Sequence, residues 1–267
     1  MSAPTPTLKI VPVKNIFPHE EHDPQRSKPL LERLRQAEFL TNPPIVAPMD
    51  TENYVILDGA NRYHTLCELG FQHLLVQVAS YESGIVSLGV WQHIVSYWER
   101  VYFIEHLQKI EGVQLERGWS ANEVAQILLR DGVTLSINAL DPSLSRNALL
   151  RRIVAIYRDN AKLDRTAATD PSEIWRLYPA SIALVRFPEY RPQDIIHAAR
   201  YNDFLPPGIS RHMIHGRALK LNYPMHLLQN MQISLEAKNA QLQDWLKSKI
   251  EQRAVRFYAE STYQFDE

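Results

Sequence analysis

The sequence predicts a mixed fold, α+β or α/β, with an N-terminal module, a second α/β lobe and a C-terminal helix. Short apolar runs rich in β-branched residues alternate with segments in which apolar residues recur at helical spacing. Proline and glycine separate these segments from one another. A long amphipathic pattern near the end of the chain predicts a final helix. We therefore expect three parts, at residues 1–80, 81–230 and 231–267.

The composition is ordinary for a soluble globular protein. Of the 267 residues, 45% are apolar and 22% are charged, and the net charge is −1. A chain with this charge does not attract nucleic acid as a whole, so nucleic-acid binding is not expected. The single cysteine, Cys67, excludes a disulfide framework and a multi-cysteine metal site. Because no apolar run has the length of a membrane span and residues 1–7 do not look like a signal peptide, we expect a cytoplasmic protein.

The N-terminal module is predicted to contain six elements. The strand at residues 8–13 includes Pro12, which places it at a sheet edge or ends it. Ser27 is expected to cap the first helix, and Gly70 to end the second. The predicted order is a strand at 8–13, a helix from Ser27, strands at 45–47 and 54–57, a helix between Gly59 and Gly70, and a strand at 74–78.

The later elements are predicted from the same signals. Ser120-Ala121-Asn122-Glu123 is a capping-box sequence, which predicts a helix with Val124, Ile127 and Leu128 on its apolar face. Residues 149–158 fit a strand or a helix, and their β-branched and aromatic residues favour a strand. The other predicted elements are strands at 85–97, 133–137 and 181–187, helices at 100–110, from Asp170 and from Pro192, and the C-terminal helix marked by Leu235, Leu242, Trp245, Leu246 and Ile250.

Three polar loops are candidates for function. The run Asp58-Gly59-Ala60-Asn61-Arg62 follows a buried strand and opens a helix, so its backbone N–H groups are available to an anion. The loop at residues 17–24 holds His19, Glu20, Glu21 and His22, and the loop at 204–212 ends in Ser210-Arg211-His212. Together they contain what phosphoryl transfer requires, namely a carboxylate base, a carboxylate for Mg²⁺ and donors for phosphate.

The sequence lacks the common phosphate-binding loops. It has no Gly-x-x-x-x-Gly-Lys-Ser/Thr run, which excludes a P-loop enzyme. It also lacks the glycine-rich loop of protein kinases. Any phosphoryl transfer must therefore use a different framework.

Residues 8–79 resemble the N-terminal domain of the ParB/sulfiredoxin superfamily. The resemblance is carried by Pro18-His19-Glu20, by Asn42-Pro43-Pro44-Ile45, and by Leu57-Asp58-Gly59-Ala60-Asn61-Arg62 followed by Glu68-Leu69-Gly70. Trp91 and the run from Leu205 to His212 extend it to the ParB-like free L-serine kinases, including the kinase type of siderophore synthesis. The resemblance implies phosphorylation of free L-serine to O-phospho-L-serine with ATP or ADP and Mg²⁺, in a cleft closed by the second lobe.

The resemblance also implies roles for individual residues. Glu20 matches the catalytic base, with Glu21 as the alternative if the alignment is shifted by one residue, and Asp58 matches the turn aspartate that contacts metal or substrate. The turn of this chain has Ala60-Asn61 where the family often has histidine. The residues expected to bind substrate or phosphate are His19, Gly59, Ala60, Asn61, Arg62, Trp91, Ser210, Arg211 and His212.

Three other functions fit parts of the sequence. Sulfiredoxin activity requires a nucleophilic cysteine in the turn, whereas Cys67 lies inside the following helix and is expected to be a core thiol. A ParB-like DNA-binding or regulatory protein without kinase activity requires a helix-turn-helix. The predicted helix at residues 120–131 and the arginines after Gly132 suggest one, but the strand-like residues 133–137 argue against it. A metal site of His19, Glu20 and His22 lacks regular ligand spacing.

Overall fold

The computed structural model describes residues 5–22 and 24–258, which form two compact units. The first unit takes in the described residues of Met1–Pro18, His22–Ser87 and His212–Glu267. The second unit consists of His19–Glu21 and Leu88–Arg211. Three residues from the N-terminal part of the sequence, among them Glu20, therefore belong to the second unit.

The first unit is built on a five-stranded mixed sheet. Along the chain, the elements up to the last strand of this sheet are β1 (Thr7–Pro12), β2 (Ile16–Phe17), α1 (Pro24–Arg35), β3 (Phe39–Leu40), β4 (Ile45–Pro48), β5 (Tyr54–Asp58), α2 (Ala60–Glu68) and β6 (His73–Val78). The strand order in the sheet is β1-β6-β4-β5-β2, and its core includes Ile10, Val46, Ile56 and Leu75.

The second unit is built on a six-stranded antiparallel sheet. The next elements along the chain are β7 (Val86–Val90), β8 (Gln92–Ser96), α3 (Arg100–Gln108), β9 (Val113–Arg117), β10 (Glu123–Leu129), β11 (Thr134–Ala139), α4 (Arg146–Arg158), β12 (Lys162–Thr166), α5 (Pro171–Leu177), β13 (Ser181–Arg186) and α6 (Pro192–Tyr201). The strand order in the six-stranded sheet is β12-β8-β13-β10-β11-β9.

The chain returns to the first unit through β14 (Ser210–Ile214), which pairs with β7 in a separate two-stranded sheet. It then forms β15 (Tyr223–Pro224), which pairs with β3, followed by α7 (Met225–Gln229) and α8 (Leu235–Glu251). The predicted mixed fold with a C-terminal helix is confirmed. Within residues 5–22 and 24–258, no helix is both long and apolar enough to cross a membrane.

Two predicted elements of the second lobe are wrong. Residues 123–129 form β10 instead of a helix, because the apolar run fills a strand that is paired on both sides, with β11 and β13. Residues 149–158 lie in α4 instead of a strand, and Ser145 caps this helix by accepting from the Ala148 N–H at 3.0 Å. The buried positions of α4 recur at helical spacing, and this packing outweighs the β-propensity of its residues.

Two smaller predictions also need correction. Ser27 does not cap α1, because the helix already begins at Pro24 and Ser27 lies inside it. Trp91 lies between β7 and β8, in neither strand. The predicted edge position of the first strand is confirmed, since β1 ends one side of its sheet.

Helix α8 covers the outer edge of β1 through one side chain. The Asn239 amide accepts from the Ile10 N–H at 2.9 Å and donates to the Ile10 carbonyl at 2.8 Å. An asparagine amide thus takes the place of the next strand for one residue at the edge of the sheet.

Asn239→Ala is expected to lower the free energy of unfolding by about 1–3 kcal/mol, because a buried N–H and carbonyl both lose their partner. Urea unfolding followed by circular dichroism measures the change. Gln243→Ala, at an exposed position of the same helix, is the control and should change it by less than about 0.5 kcal/mol. Equal losses in the two variants would contradict the role of Asn239.

Candidate active site

The turn between β5 and α2 is formed around Gly59. This glycine has φ = +92°, and a Cβ at this position would lie 3.2 Å from the Cα of Pro44. Both features disfavour a side chain at this position. The turn leads into the first turn of α2, which begins at Ala60, and the N-terminal end of a helix favours a negatively charged group. The local geometry therefore matches the predicted anion-binding turn.

Two arginines lie at this turn, and sequence reasoning found only one of them. The Nη1 of Arg62 donates to the Pro43 carbonyl at 3.3 Å, and it lies 3.1 Å from where a Gly59 Cβ would be. Arg217 pairs with Asp58, with 2.5 Å between Nη1 and Oδ2. The carboxylate predicted to bind metal is therefore in an ion pair.

Gln77 places Arg217 at the turn. Its buried side chain donates to the Gly216 carbonyl at 2.9 Å and accepts from the Ala218 N–H at 2.8 Å. The backbone on both sides of Arg217 is thus fixed by one amide on β6. The only sequence signal for Arg217 was its position a few residues after the Ser210-Arg211-His212 loop.

Glu20 lies in the second unit and contacts the late loop directly. Its Oε2 accepts from the Gly208 N–H at 3.1 Å. The backbone around it pairs with Leu205, whose N–H donates to the His19 carbonyl and whose carbonyl accepts from the Glu21 N–H, both at 2.9 Å. The side chain of Glu20 is half-buried. Two loops that are far apart in sequence are therefore joined here by strand-like hydrogen bonds.

Four more of the predicted residues lie in the same unit and contact each other in pairs. The buried His19 has its Nε2 2.7 Å from the Oγ of Ser210. The guanidinium of Arg211 lies over the Trp91 ring, 4.6 Å from its centroid. A hydrogen bond of 2.8 Å from the Trp91 N–H to the Ile209 carbonyl fixes this pair. Arg211 and Trp91 thus form a cation–π pair whose position is set by the backbone.

The remaining predicted residue, His212, belongs to the first unit and is buried. Its Nε2 lies 2.7 Å from the hydroxyl of Tyr81, a residue that sequence reasoning missed. Burial raises the pKa of Tyr81, so this hydroxyl keeps its proton. The predicted site residues thus separate into Asp58, Gly59, Ala60, Asn61, Arg62 and His212 in the first unit and His19, Glu20, Trp91, Ser210 and Arg211 in the second.

The residues on which the sulfiredoxin, metal-site and DNA-binding hypotheses depend are also placed by the structure. Cys67 is half-buried, and burial raises the pKa of its thiol, which makes it a weak nucleophile. His22 stacks on His64, with 3.8 Å between the ring centroids. The described residues contain no group of three or more His, Cys, Asp or Glu side chains placed to hold a metal ion. The capped helix from which the DNA-binding hypothesis started is the strand β10.

Gly208→Ala is expected to destabilise the second unit by more than the backbone cost of about 1–3 kcal/mol for a non-glycine residue at positive φ. Gly208 has φ = +76°, and the guanidinium of Arg165 occupies the space of a Cβ, so Arg165 must move and lose its hydrogen bond of 3.1 Å to the Pro207 carbonyl. Gly132→Ala is the matched control, since Gly132 has φ = +86° and nothing within 4 Å. Urea unfolding of both variants measures the difference, and equal losses would rule out the steric effect of Arg165.

Comparison with known proteins finds relatives that align with nearly the whole chain. No family model matches. The ATP-dependent L-serine kinase SbnI of Staphylococcus aureus (strain NCTC 8325 / PS 47) is 25% identical over 267 residues, which cover 96% of each protein. The structure of SbnI with a C-terminal truncation has a TM-score of 0.75 at 23% identity and covers 92% of this chain and 97% of that one. A free serine kinase in complex with AMP has a TM-score of 0.73 at 13% identity, covering 84% and 95%. The resemblance of this chain to the ParB-like free L-serine kinases, inferred from its motifs, is therefore confirmed in sequence and in fold.

Proposed function

We propose that this protein is an ATP-dependent kinase that phosphorylates the hydroxyl of free L-serine, giving O-phospho-L-serine and ADP. The observation that carries the proposal is the Glu20 carboxylate, which the Gly208 N–H holds in a half-buried position. The similarity over 96% of the chain to a protein named ATP-dependent L-serine kinase supports the choice of donor and acceptor.

Glu20 is the general base of the proposed reaction. One carboxylate oxygen, Oε2, is engaged by Gly208, and Oε1 is the oxygen that we assign to the serine hydroxyl. As this oxygen takes the proton, the serine oxygen forms a bond to the γ-phosphorus. The bond from that phosphorus to the bridging oxygen breaks, and ADP leaves with the electron pair. A base must lie within hydrogen-bond reach of the hydroxyl, which a fixed carboxylate achieves better than a mobile one.

The turn at Gly59 and its arginines bind the phosphates of ATP in this proposal. The N-terminal end of α2 is assigned to the phosphates, and Arg62 and Arg217 add two positive charges at the same turn. Arg217 is shared, because a bound phosphate competes with Asp58 for its guanidinium. Arg211, held on the Trp91 ring, is assigned to an anionic group of serine or phosphoserine.

Asp58 is the residue that we assign to Mg²⁺. This ion is commonly held by one or two carboxylates together with the phosphates of a nucleotide, so a single aspartate beside a phosphate turn fits it. When bound, the ion neutralises charge on the transferring phosphoryl group. When the Arg217 guanidinium binds phosphate in place of Asp58, the Asp58 carboxylate becomes available to the ion.

Phosphorus NMR of the protein with Mg²⁺, ATP and L-serine is expected to show a phosphoserine signal. Glu20→Gln should reduce the rate by about 10²–10⁴, the usual contribution of a positioned base. Glu21→Gln is the matched control, since Glu21 is the neighbouring carboxylate and contacts Arg151 at 3.8 Å. Loss of activity in Glu21→Gln but not in Glu20→Gln would identify Glu21, and not Glu20, as the general base. No product from ATP or ADP with L-serine or other hydroxy amino acids would refute the kinase.

Arg217→Gln is expected to raise the KM for ATP about tenfold, which corresponds to about 1.4 kcal/mol of lost binding, because one charge-assisted contact to phosphate disappears. Arg217→Lys should recover part of the loss, and Lys220→Gln, at an exposed position of the same segment, should leave KM unchanged. Steady-state kinetics with varied ATP measures all three. An unchanged or lower KM in Arg217→Gln would show that Arg217 serves only to neutralise Asp58.

A further inference from the structure

The loop that holds Glu20 is itself held by a buried histidine, His93 on β8. This side chain is 0% exposed and lies among aromatic rings, 5.8 Å from the centroid of Tyr157 and 4.8 Å from that of Phe187. Its Nδ1 lies 2.9 Å from the hydroxyl of Tyr157, and its Nε2 lies 3.0 Å from the carbonyl of Gly208. Both ring nitrogens thus have a partner, and one partner is in the loop at the proposed base.

These partners define the proton positions. A carbonyl only accepts, so Nε2 of His93 carries the proton and donates to Gly208. Nδ1 is then the acceptor, and the fully buried Tyr157 hydroxyl donates to it. Burial raises the pKa of Tyr157 and lowers that of His93 to about 4, so the hydroxyl stays protonated and the imidazole neutral at ordinary pH. The Gly208 carbonyl therefore sets the tautomer of His93, and the Tyr157 hydroxyl satisfies the lone pair that this tautomer leaves on Nδ1.

Gly208 is fixed on both sides of its Cα. The peptide that follows it is held by His93 through the Gly208 carbonyl. The peptide that precedes it is held by Arg165, which donates to the Pro207 carbonyl at 3.1 Å. This preceding peptide carries the N–H that binds Oε2 of Glu20. The direction of that N–H, and with it the orientation of the carboxylate, thus depends on groups that do not touch Glu20.

We propose that Tyr157 and His93 are positioning residues for Glu20: Tyr157 fixes the imidazole ring of His93 through Nδ1, His93 holds the Gly208 carbonyl, and the Gly208 N–H then holds the carboxylate. The inference rests on the proposed function, in which Glu20 takes the proton from serine. It assigns to this buried pair an effect on the chemical step and not on the binding of ATP or serine.

Tyr157→Phe tests the pair with the smallest change. Without the hydroxyl, Nδ1 of the buried imidazole has no donor, and the ring loses the contact that fixes its orientation toward the Gly208 carbonyl. We expect kcat to fall about tenfold, while the KM values for ATP and serine change less than twofold. His93→Leu should show the same loss, and His93→Gln, which keeps a donor toward the carbonyl, should recover most of kcat. A rise in KM with unchanged kcat would overturn the proposal.

A double-mutant cycle separates positioning from general damage. In the Glu20→Gln background, Tyr157→Phe should cause no further loss, because the group that it positions no longer acts as a base. Equal losses in both backgrounds would overturn the proposal. Tyr223→Phe, at a buried tyrosine of the first unit, is the control for loss of a buried hydroxyl and should leave kcat unchanged. Urea unfolding verifies that each variant is folded under the assay conditions.

A second readout does not depend on activity. The amide resonance of Gly208, assigned by its shift in Glu20→Gln, reports its hydrogen bond to the carboxylate. It should move in the same direction in Tyr157→Phe and His93→Leu, and stay in place in Tyr223→Phe. If the wild-type protein makes no phosphoserine, the proposed function fails while this resonance still tests the geometry. An unmoved Gly208 resonance in an active kinase would reject the positioning role alone.

Discussion

The second unit depends on the pairing between residues 19–21 and the loop that follows α6. Backbone hydrogen bonds join His19 and Glu21 to Leu205, and the Gly208 N–H then reaches the Glu20 carboxylate. This pairing brings a segment from the start of the sequence into a unit otherwise formed by Leu88–Arg211. Because the contact uses main-chain groups on both sides, it tolerates little displacement. A carboxylate that is oriented before substrate binds loses less entropy in the reaction, which is the advantage of a preorganised base.

In the first unit, two charged side chains at the Gly59 turn are paired with each other. Asp58 and Arg217 neutralise each other at the turn where an anion is expected, and Gln77 fixes the backbone on both sides of the arginine. A partly exposed ion pair of this kind contributes little to stability. In the proposed kinase its role is an exchange of partners, in which the guanidinium binds phosphate and the carboxylate binds Mg²⁺. In the second unit the guanidinium of Arg211 instead lies over an aromatic ring, that of Trp91.

The failures of sequence reasoning have identifiable physical causes. Ser120 and Glu123 form part of a capping box, with the Ser120 N–H 3.5 Å from the Glu123 carboxylate, but no helix follows because the next residues are paired with two strands. In α4, burial at helical spacing decided against the β-branched residues. The sequence did not indicate the roles of His93, Tyr157 and Gln77, because a buried polar residue cannot be distinguished from an exposed one until its hydrogen-bond partners are known. Arg217 was missed for the same reason, since its partner is 159 residues away.

The sequence by itself determined the mixed fold and the strand-turn-helix at Gly59, because each depends on neighbours close along the chain. The resemblance of its motifs to a known family made Glu20, Asp58, Ser210 and Arg211 candidates. Local patterns of apolar spacing and the special conformations of glycine and proline carry that information. Tertiary structure alone decided that Glu20 is held by Gly208, that Asp58 is paired with Arg217, and that His93 and Tyr157 lie behind the loop. These contacts join residues at least 64 positions apart, and such pairings follow from the packing of whole sheets and helices, which no local pattern encodes.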